Sequence, residues 1–243
     1  MRIFISLILL IGSALAAAEE TPATEKHWKG EGEFGYTLTS GNTDNQTIVS
    51  KLGISYQTGA WVNTFKIESL RTESKDDTTG DTVVTANRVT LNDKLSYDVS
   101  ERTYSFATAR YEEDDFSGFE YQSSSTLGAG YRFFKQEGLS LTFEIGAGFQ
   151  KDRTNDRTVQ EGKALRFSED FSYQLSHSSL LTQSFLNERG SDNTYSEFNA
   201  GFKVAINGSL ALKLSHLIKH NSQVPADKEN FDRVSTVTLV YGF

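Results

Sequence analysis

Apolar and polar residues alternate with period 2 along most of this chain. The alternation is cleanest over residues 139–149. Leu139, Leu141, Phe143, Ile145, Ala147 and Phe149 share one face there, and Ser140, Thr142, Glu144, Gly146 and Gly148 the other. Successive side chains of a strand point to opposite faces, so this spacing predicts a strand with one apolar and one polar side. Residues 231–243 repeat it, with Ser235, Val237, Leu239, Tyr241 and Phe243 against Val234, Thr236, Thr238, Val240 and Gly242. Near the start, Phe34, Tyr36 and Leu38 oppose Glu33, Gly35, Thr37 and Thr39. Next, Ile48, Leu52, Ile54 and Tyr56 oppose Lys51 and Gly53. Taken in order, the pattern gives about twelve strands. They cover 28–40, 46–57, 61–73, 83–97, 102–113, 120–134, 139–152, 163–176, 179–189, 194–206, 209–220 and 231–243.

Turn-forming residues separate these strands. The connections at 58–60, 98–101, 135–138, 177–178 and 207–208 are tight, and Asn207-Gly208 is a two-residue hairpin signal. Those at 74–82, 114–119, 153–162 and 221–230 are longer. Tight turns on one side, longer loops on the other and an even strand count are the marks of an outer-membrane barrel. Tyr56, Trp61, Tyr97, Tyr104, Tyr131, Phe133, Tyr173 and Tyr241 gather beside the tight turns, as an interfacial girdle would. The expected fold is all-β: a transmembrane antiparallel up-and-down β-barrel with both termini periplasmic.

A soluble β-sandwich or barrel with an apolar core is the competing fold. It conflicts with the charges on the second face: Lys51, Lys66, Glu68, Arg88, Lys94, Arg132, Glu144, Arg166, Asp170, Lys203 and Lys213. So many charges cannot share a dry core, but they can line a wet lumen. Lys219, Glu33 and Glu197 fall on the same face, so bases outnumber acids inside and small anions are the expected solutes. Glu169 lands on the lipid face, and a bulge or one-residue shift is expected to move it.

Composition adds compartment and partners. Residues 1–18 read as a secretory signal, with Arg2, an apolar run from Ile3 to Ile11 and Ala16-Ala17-Ala18 as the cleavage site. Residues 19–27 then form a periplasmic lead and 28–243 the barrel. The mean hydropathy of −0.43 is that of alternating faces that cancel, not of a soluble protein. The chain has no Cys, which excludes disulfides and thiolate metal sites. Its net charge of −8 argues against nucleic acid as a partner.

The run Glu112, Glu113, Asp114, Asp115 is the densest acidic cluster, and is placed on an extracellular rim with Asp76, Asp77, Asp81, Asp152, Asp156, Asp192, Asp227 and Glu229. Such a run is ordinarily a solvated face. Carboxylates there could also share divalent cations with lipopolysaccharide phosphates. His177 and His220 each precede a Ser by two positions, the spacing of a Ser–His pair on one strand face. His177 lies in a turn and His220 opens a loop, so neither holds the geometry a triad needs. His216 and His220 are about 13 Å apart along a strand, too far for one metal. No catalytic residue, cofactor or metal site is expected.

Three segments together carry a family resemblance. They are Thr39-Ser40-Gly41-Asn42-Thr43-Asp44, Gly130-Tyr131-Arg132 leading to Leu139–Phe149, and Asp232-Arg233 through Val240-Tyr241-Gly242-Phe243. Over residues 30–243 the chain resembles the salt-induced outer-membrane protein family, domain of unknown function 481. The resemblance implies an outer-membrane barrel and brings no ligand or catalytic residue. A last strand ending in Phe also resembles the signal read by the barrel-assembly machinery of Gram-negative bacteria. The expected location is the bacterial outer membrane, with lipid and lipopolysaccharide as surroundings. The expected function is a passive small-solute pore or an envelope or salt-stress barrel. A lipid hydrolase and a structural barrel with a plugged lumen are the alternatives.

Overall fold

A computed structural model describes residues 27–39, 45–75, 79, 81–225 and 228–243. The secretory signal, the lead up to residue 26, residues 40–44 of the first family-like segment, and Asp76, Asp77 and Asp227 lie outside the described residues. Twelve strands run in chain order: β1 His27–Thr39, β2 Asn45–Thr58, β3 Trp61–Lys75, β4 Thr82–Asp98, β5 Thr103–Asp114 and β6 Phe119–Gln136. They continue with β7 Leu139–Thr154, β8 Val159–Ser176, β9 Ser179–Arg189, β10 Thr194–Ala205, β11 Leu210–Asn221 and β12 Phe231–Gly242. Each pairs antiparallel with its chain neighbours, and β12 pairs with β1 to close the barrel.

The polar face turns inward and the apolar face outward. Ile145 and Phe149 are 66% and 68% exposed while Glu144 between them in phase is 1% exposed. That inversion of a soluble core settles the register against the sandwich. Outside, Trp28 packs on Tyr56 and Trp61 on Tyr97 beside the tight turns. Tyr131, Phe133, Tyr173 and Tyr241 extend this belt on the outer surface. Tyr104 does not belong to it: its ring is buried inside the barrel.

Three details depart from the alternation pattern alone. The 153–162 segment is mostly strand, because β7 and β8 pair as far as Arg153↔Val159. Beside and within it most residues are polar on both faces, with Asp152 inward and Lys151 bonded to Glu161 outside at 2.9 Å, so the segment resembles a loop in sequence. Residues 206–209 form a four-residue turn rather than a two-residue hairpin. There Asn207 Oδ1 accepts from the amides of Ser209 and Leu210, and Gly208 takes no positive φ. Glu169 stays outward, because the ladders Phe143↔Glu169 and Glu169↔Phe185 run without a shift. The Gln183 amide donates to its carboxylate at 3.0 Å, which gives an outward acid the partner it requires.

The closing seam is short. β1 and β2 share thirteen register pairs, whereas β1 and β12 share four, from Glu31↔Gly242 to Phe34↔Leu239. Reciprocal bonds between Gly30 and Phe243 extend it by one step at the tight-turn end. Beyond Phe34 the two backbones come close without pairing: a Cβ on Gly35 would lie 2.8 Å from the Val237 carbonyl oxygen. Only glycine permits that approach.

Candidate functional site: the barrel lumen

Inward side chains pair across the barrel as well as along its wall. Lys219 on β11 donates to Glu112 on β5 at 2.5 Å, and Glu112 also accepts from Thr90 at 3.0 Å. One step higher, Gln122 on β6 donates to Asn221 on β11 at 3.1 Å. These two contacts form a strut across the lumen from β5–β6 to β11. On one side of it lie β7 to β10, and on the other β12 and β1 to β4.

The β7–β10 side is densely packed. Arg110 bonds Glu188 on β9 at 3.1 Å, and its guanidinium lies 4.0 Å from the Tyr195 ring centroid. Ser124 donates to the other Glu188 oxygen at 2.7 Å. Nearer the end of the barrel that carries the tight turns, Glu144 is held by Lys94, by Arg166 at 2.7 Å, by Tyr104 at 2.6 Å and by Ser168 at 3.0 Å. A buried carboxylate is tolerated at this depth because each oxygen is matched by donors. Gly128, Gly130 and Gly146 make the space: a Cβ at Gly130 would overlap the Tyr104 ring at 2.1 Å, and one at Gly128 would meet Phe106 at 2.7 Å. The rings therefore lie flat on the wall, with Lys94 and Arg166 over Phe106 and Arg132 over Tyr104.

The β12–β4 side is looser. It holds a small cavity of about 20 Å³, room for about one water molecule. Val49 and Leu70 line it from β2 and β3, Leu217 and Val234 from β11 and β12, and Arg88 and Asn199 from β4 and β10. Its other polar groups are mutually satisfied: Lys51 bonds Glu68 at 2.9 Å, and Ser215 bonds Thr236 at 2.7 Å.

All eleven residues assigned to the lumen fall on the inward face. Lys51, Glu68, Lys94, Arg132, Glu144, Arg166, Lys203 and Lys213 are ion-paired, the last two with Glu31 and Glu33. Lys66, Arg88 and Asp170 make no direct bond among the described residues. The expected excess of bases disappears. Glu31, Asp98, Glu112, Asp152 and Glu188 also turn inward, each bonded to an inward partner, and Arg110 is the one base they bring with them.

The acidic run divides. Glu112 is 2% exposed and belongs to the strut, so it is not on the rim. Glu113 points outward and accepts from the Tyr111 hydroxyl at 2.6 Å. Asp114 caps the Phe116 amide, and Asp115 accepts from Asn87 at 2.6 Å. Period 2 separates Glu112 from Glu113, and that was the signal available in sequence. Asp152 is likewise inward, bonded to Gln122 and Gln150.

His216 and His220 form no Ser–His–acid arrangement among the described residues. The His220 ring packs on Phe231, and Ser222 bonds Asn193 and the Thr194 amide instead. On the outer face His216 Nδ1 lies 2.8 Å from Ser235 Oγ, with no carboxylate or amide orienting the ring among the described residues.

Solved structures share this architecture. The COG4313 outer membrane channel from Pseudomonas putida F1 superposes with a TM-score of 0.53 at 15% identity, covering 89% of this chain and 95% of that one. The NanC porin superposes with a TM-score of 0.50 at 7% identity, covering 89% and 98%. At these identities the likeness is one of fold. The sequence matches no curated protein. A model of the protein family of unknown function DUF481 matches residues 32–243, almost the whole barrel, and the chain belongs to that family.

Proposed function

We propose that this protein is a passive outer-membrane pore for small solutes, with the route on the β12–β4 side of the lumen. The observation that carries this reading is the strut. It confines dense packing to one side and leaves the cavity on the other. The outward aromatic belt suits an outer-membrane setting, and β12 with its terminal Phe243 is the segment offered to the assembly machinery. Because inward acids and bases nearly balance, the pore discriminates weakly by charge. Refolded protein in planar bilayers is expected to give small, ohmic, weakly selective steps. The pair Lys219→Met with Glu112→Gln removes the main contact of the strut and is expected to enlarge them. Silent bilayers with both proteins would overturn the pore and leave a structural barrel.

A further inference from the structure

Among the described residues, the buried lumenal carboxylates Glu33, Glu112, Glu144 and Glu188 each have a cation in contact: Lys213, Lys219, Arg166 and Arg110 in turn. Asp152 is as deeply buried, at 1% exposed, and makes no ion pair among the described residues; Arg110 reaches it only at longer range. Its Oδ2 accepts from the amides of Gln150 and Gln122, whereas its Oδ1 is buried and accepts nothing. Gln150 is 6% exposed, and its Oε1 is likewise buried without a donor. That amide cannot be turned over, because its NH2 group is the one bonded to Asp152. Its oxygen is aimed at Gly190: a Cβ there would lie 2.6 Å from Gln150 Oε1 and 3.0 Å from the Asn193 carbonyl oxygen. Gln160, opposite Asp152 in the β7–β8 ladder, keeps a third buried oxygen without a donor. Asp152, Gln150, Gln160, Gly190 and Asn193 line one cavity of about 10 Å³, the space of a single ion or water. Asp192, exposed in the turn between β9 and β10, lines it too, so the cavity lies next to solvent at that end.

Acceptor oxygens that share a buried space without donors are costly. A single water brings two protons, so it cannot satisfy three oxygens and offset a carboxylate charge as well. A hard cation does both. We infer that this cavity is a calcium site, with Asp152 Oδ1, Gln150 Oε1 and Gln160 Oε1 as its ligands. Oxygen-only donors suit calcium or magnesium and disfavour the softer transition metals. Calcium is preferred because it accepts an irregular shell with amide carbonyls in it, whereas magnesium demands octahedral geometry and gives up its waters reluctantly. Water and the nearby Asp192 complete the shell on the solvent side. The ion joins β7 and β8 to the turn between β9 and β10. Through Gln122, which bonds both Asp152 and Asn221, it also steadies the outer contact of the strut. The site needs no open lumen, so it stands independently of the pore proposed above.

The test is calorimetric titration of the refolded full-length barrel, stripped with EDTA and held in zwitterionic detergent at physiological salt, with calcium chloride and with magnesium chloride. Calcium is expected to bind saturably at one ion per barrel, at least about tenfold more tightly than magnesium. Asp152→Asn keeps the shape and removes the charge, and is expected to weaken calcium by about tenfold or more. Gln150→Met removes a neutral ligand and should weaken calcium by about threefold or more, which decides the same point if Asp152→Asn does not fold. Asp115→Asn, which removes an acid at the same end of the barrel outside the cavity, should leave binding unchanged. Native-like migration on unheated gels verifies folding of each variant. Calcium should also raise the urea midpoint of the parent and not that of Asp152→Asn. No calcium binding, as a protonated Asp152 in place of the ion would give, overturns the site. So does equal binding of magnesium, or binding that survives both Asp152→Asn and Gln150→Met. Equal weakening by Asp115→Asn and Asp152→Asn would mark diffuse attraction to acidic loops and overturn it as well.

Discussion

The two sides of the strut are built from the same residue types and arrive at opposite kinds of packing. On the β7–β10 side, Glu144 gathers four donors and Glu188 two, and flat aromatic rings on bare glycine backbone remove the remaining space. On the β12–β4 side, Lys51 and Glu68 pair only with each other, both partly exposed, and aliphatic side chains replace the glycine floor. A carboxylate near a guanidinium is therefore not enough to close a barrel. Closure needs a second layer of donors and a wall thin enough to admit them.

Removing one carboxylate from each side exposes the difference most strongly. Glu144→Ala strands Lys94 and Arg166 and is expected to cost about 3–5 kcal/mol, the usual effect of breaking a buried charge cluster. Glu68→Ala, on a side chain 36% exposed, should cost less than about 1 kcal/mol. Urea unfolding in lipid vesicles, followed by the fluorescence of Trp28 and Trp61, measures both. Equal losses would erase the distinction between the two sides.

A smaller effect comes from glycine. A Cβ at Gly128 would lie 2.2 Å from the Ile145 carbonyl oxygen, whereas one at Gly53 meets nothing closer than 4.0 Å. Gly128→Ala should destabilise by about 1–3 kcal/mol through overpacking. Gly53→Ala should be neutral or stabilising by up to about 1 kcal/mol, because it restricts the unfolded chain. The same unfolding curves decide this, and a destabilised Gly53→Ala would show that the looser side is tighter than described.

The smallest effect belongs to neither side. In the 155–158 turn, Asp156 accepts from the Thr154 hydroxyl and the Thr158 amide, and these bonds hold its carboxyl below its ordinary value of 3.8. A depressed carboxylate contributes stability above its unfolded pKa and loses it as pH falls through the folded one. Asp156→Asn should therefore be slightly less stable than the parent at pH 5, and the gap should close in strong acid. A gap that widens on acidification would contradict the sign.

Alternation made the wall legible, because an apolar outer face and a polar inner face impose opposite polarity on successive residues. The twelve strands and the inward placement of the eleven lumenal residues follow from that alone. Contacts across the lumen were not legible. Lys219 and Glu112 are separated by 107 positions and meet only when the barrel closes. Local crowding also misled: the run from Glu112 to Asp115 looks like one solvated patch, yet successive residues face opposite sides of the wall. Glu169 looked like a register error because its partner Gln183 lies on another strand. Arg88 and Lys66 read as two lumenal bases among many until the ion pairs of the other eight are assigned.

The short β1–β12 seam bears on how the chain becomes a barrel. Every other ladder joins strands adjacent in sequence, so each hairpin can form with little loss of chain freedom. The seam joins residues about two hundred positions apart, and it earns only a few hydrogen bonds for that long closure. With four register pairs against eleven or more in every other ladder, it is the joint of the wall held by the fewest pairs.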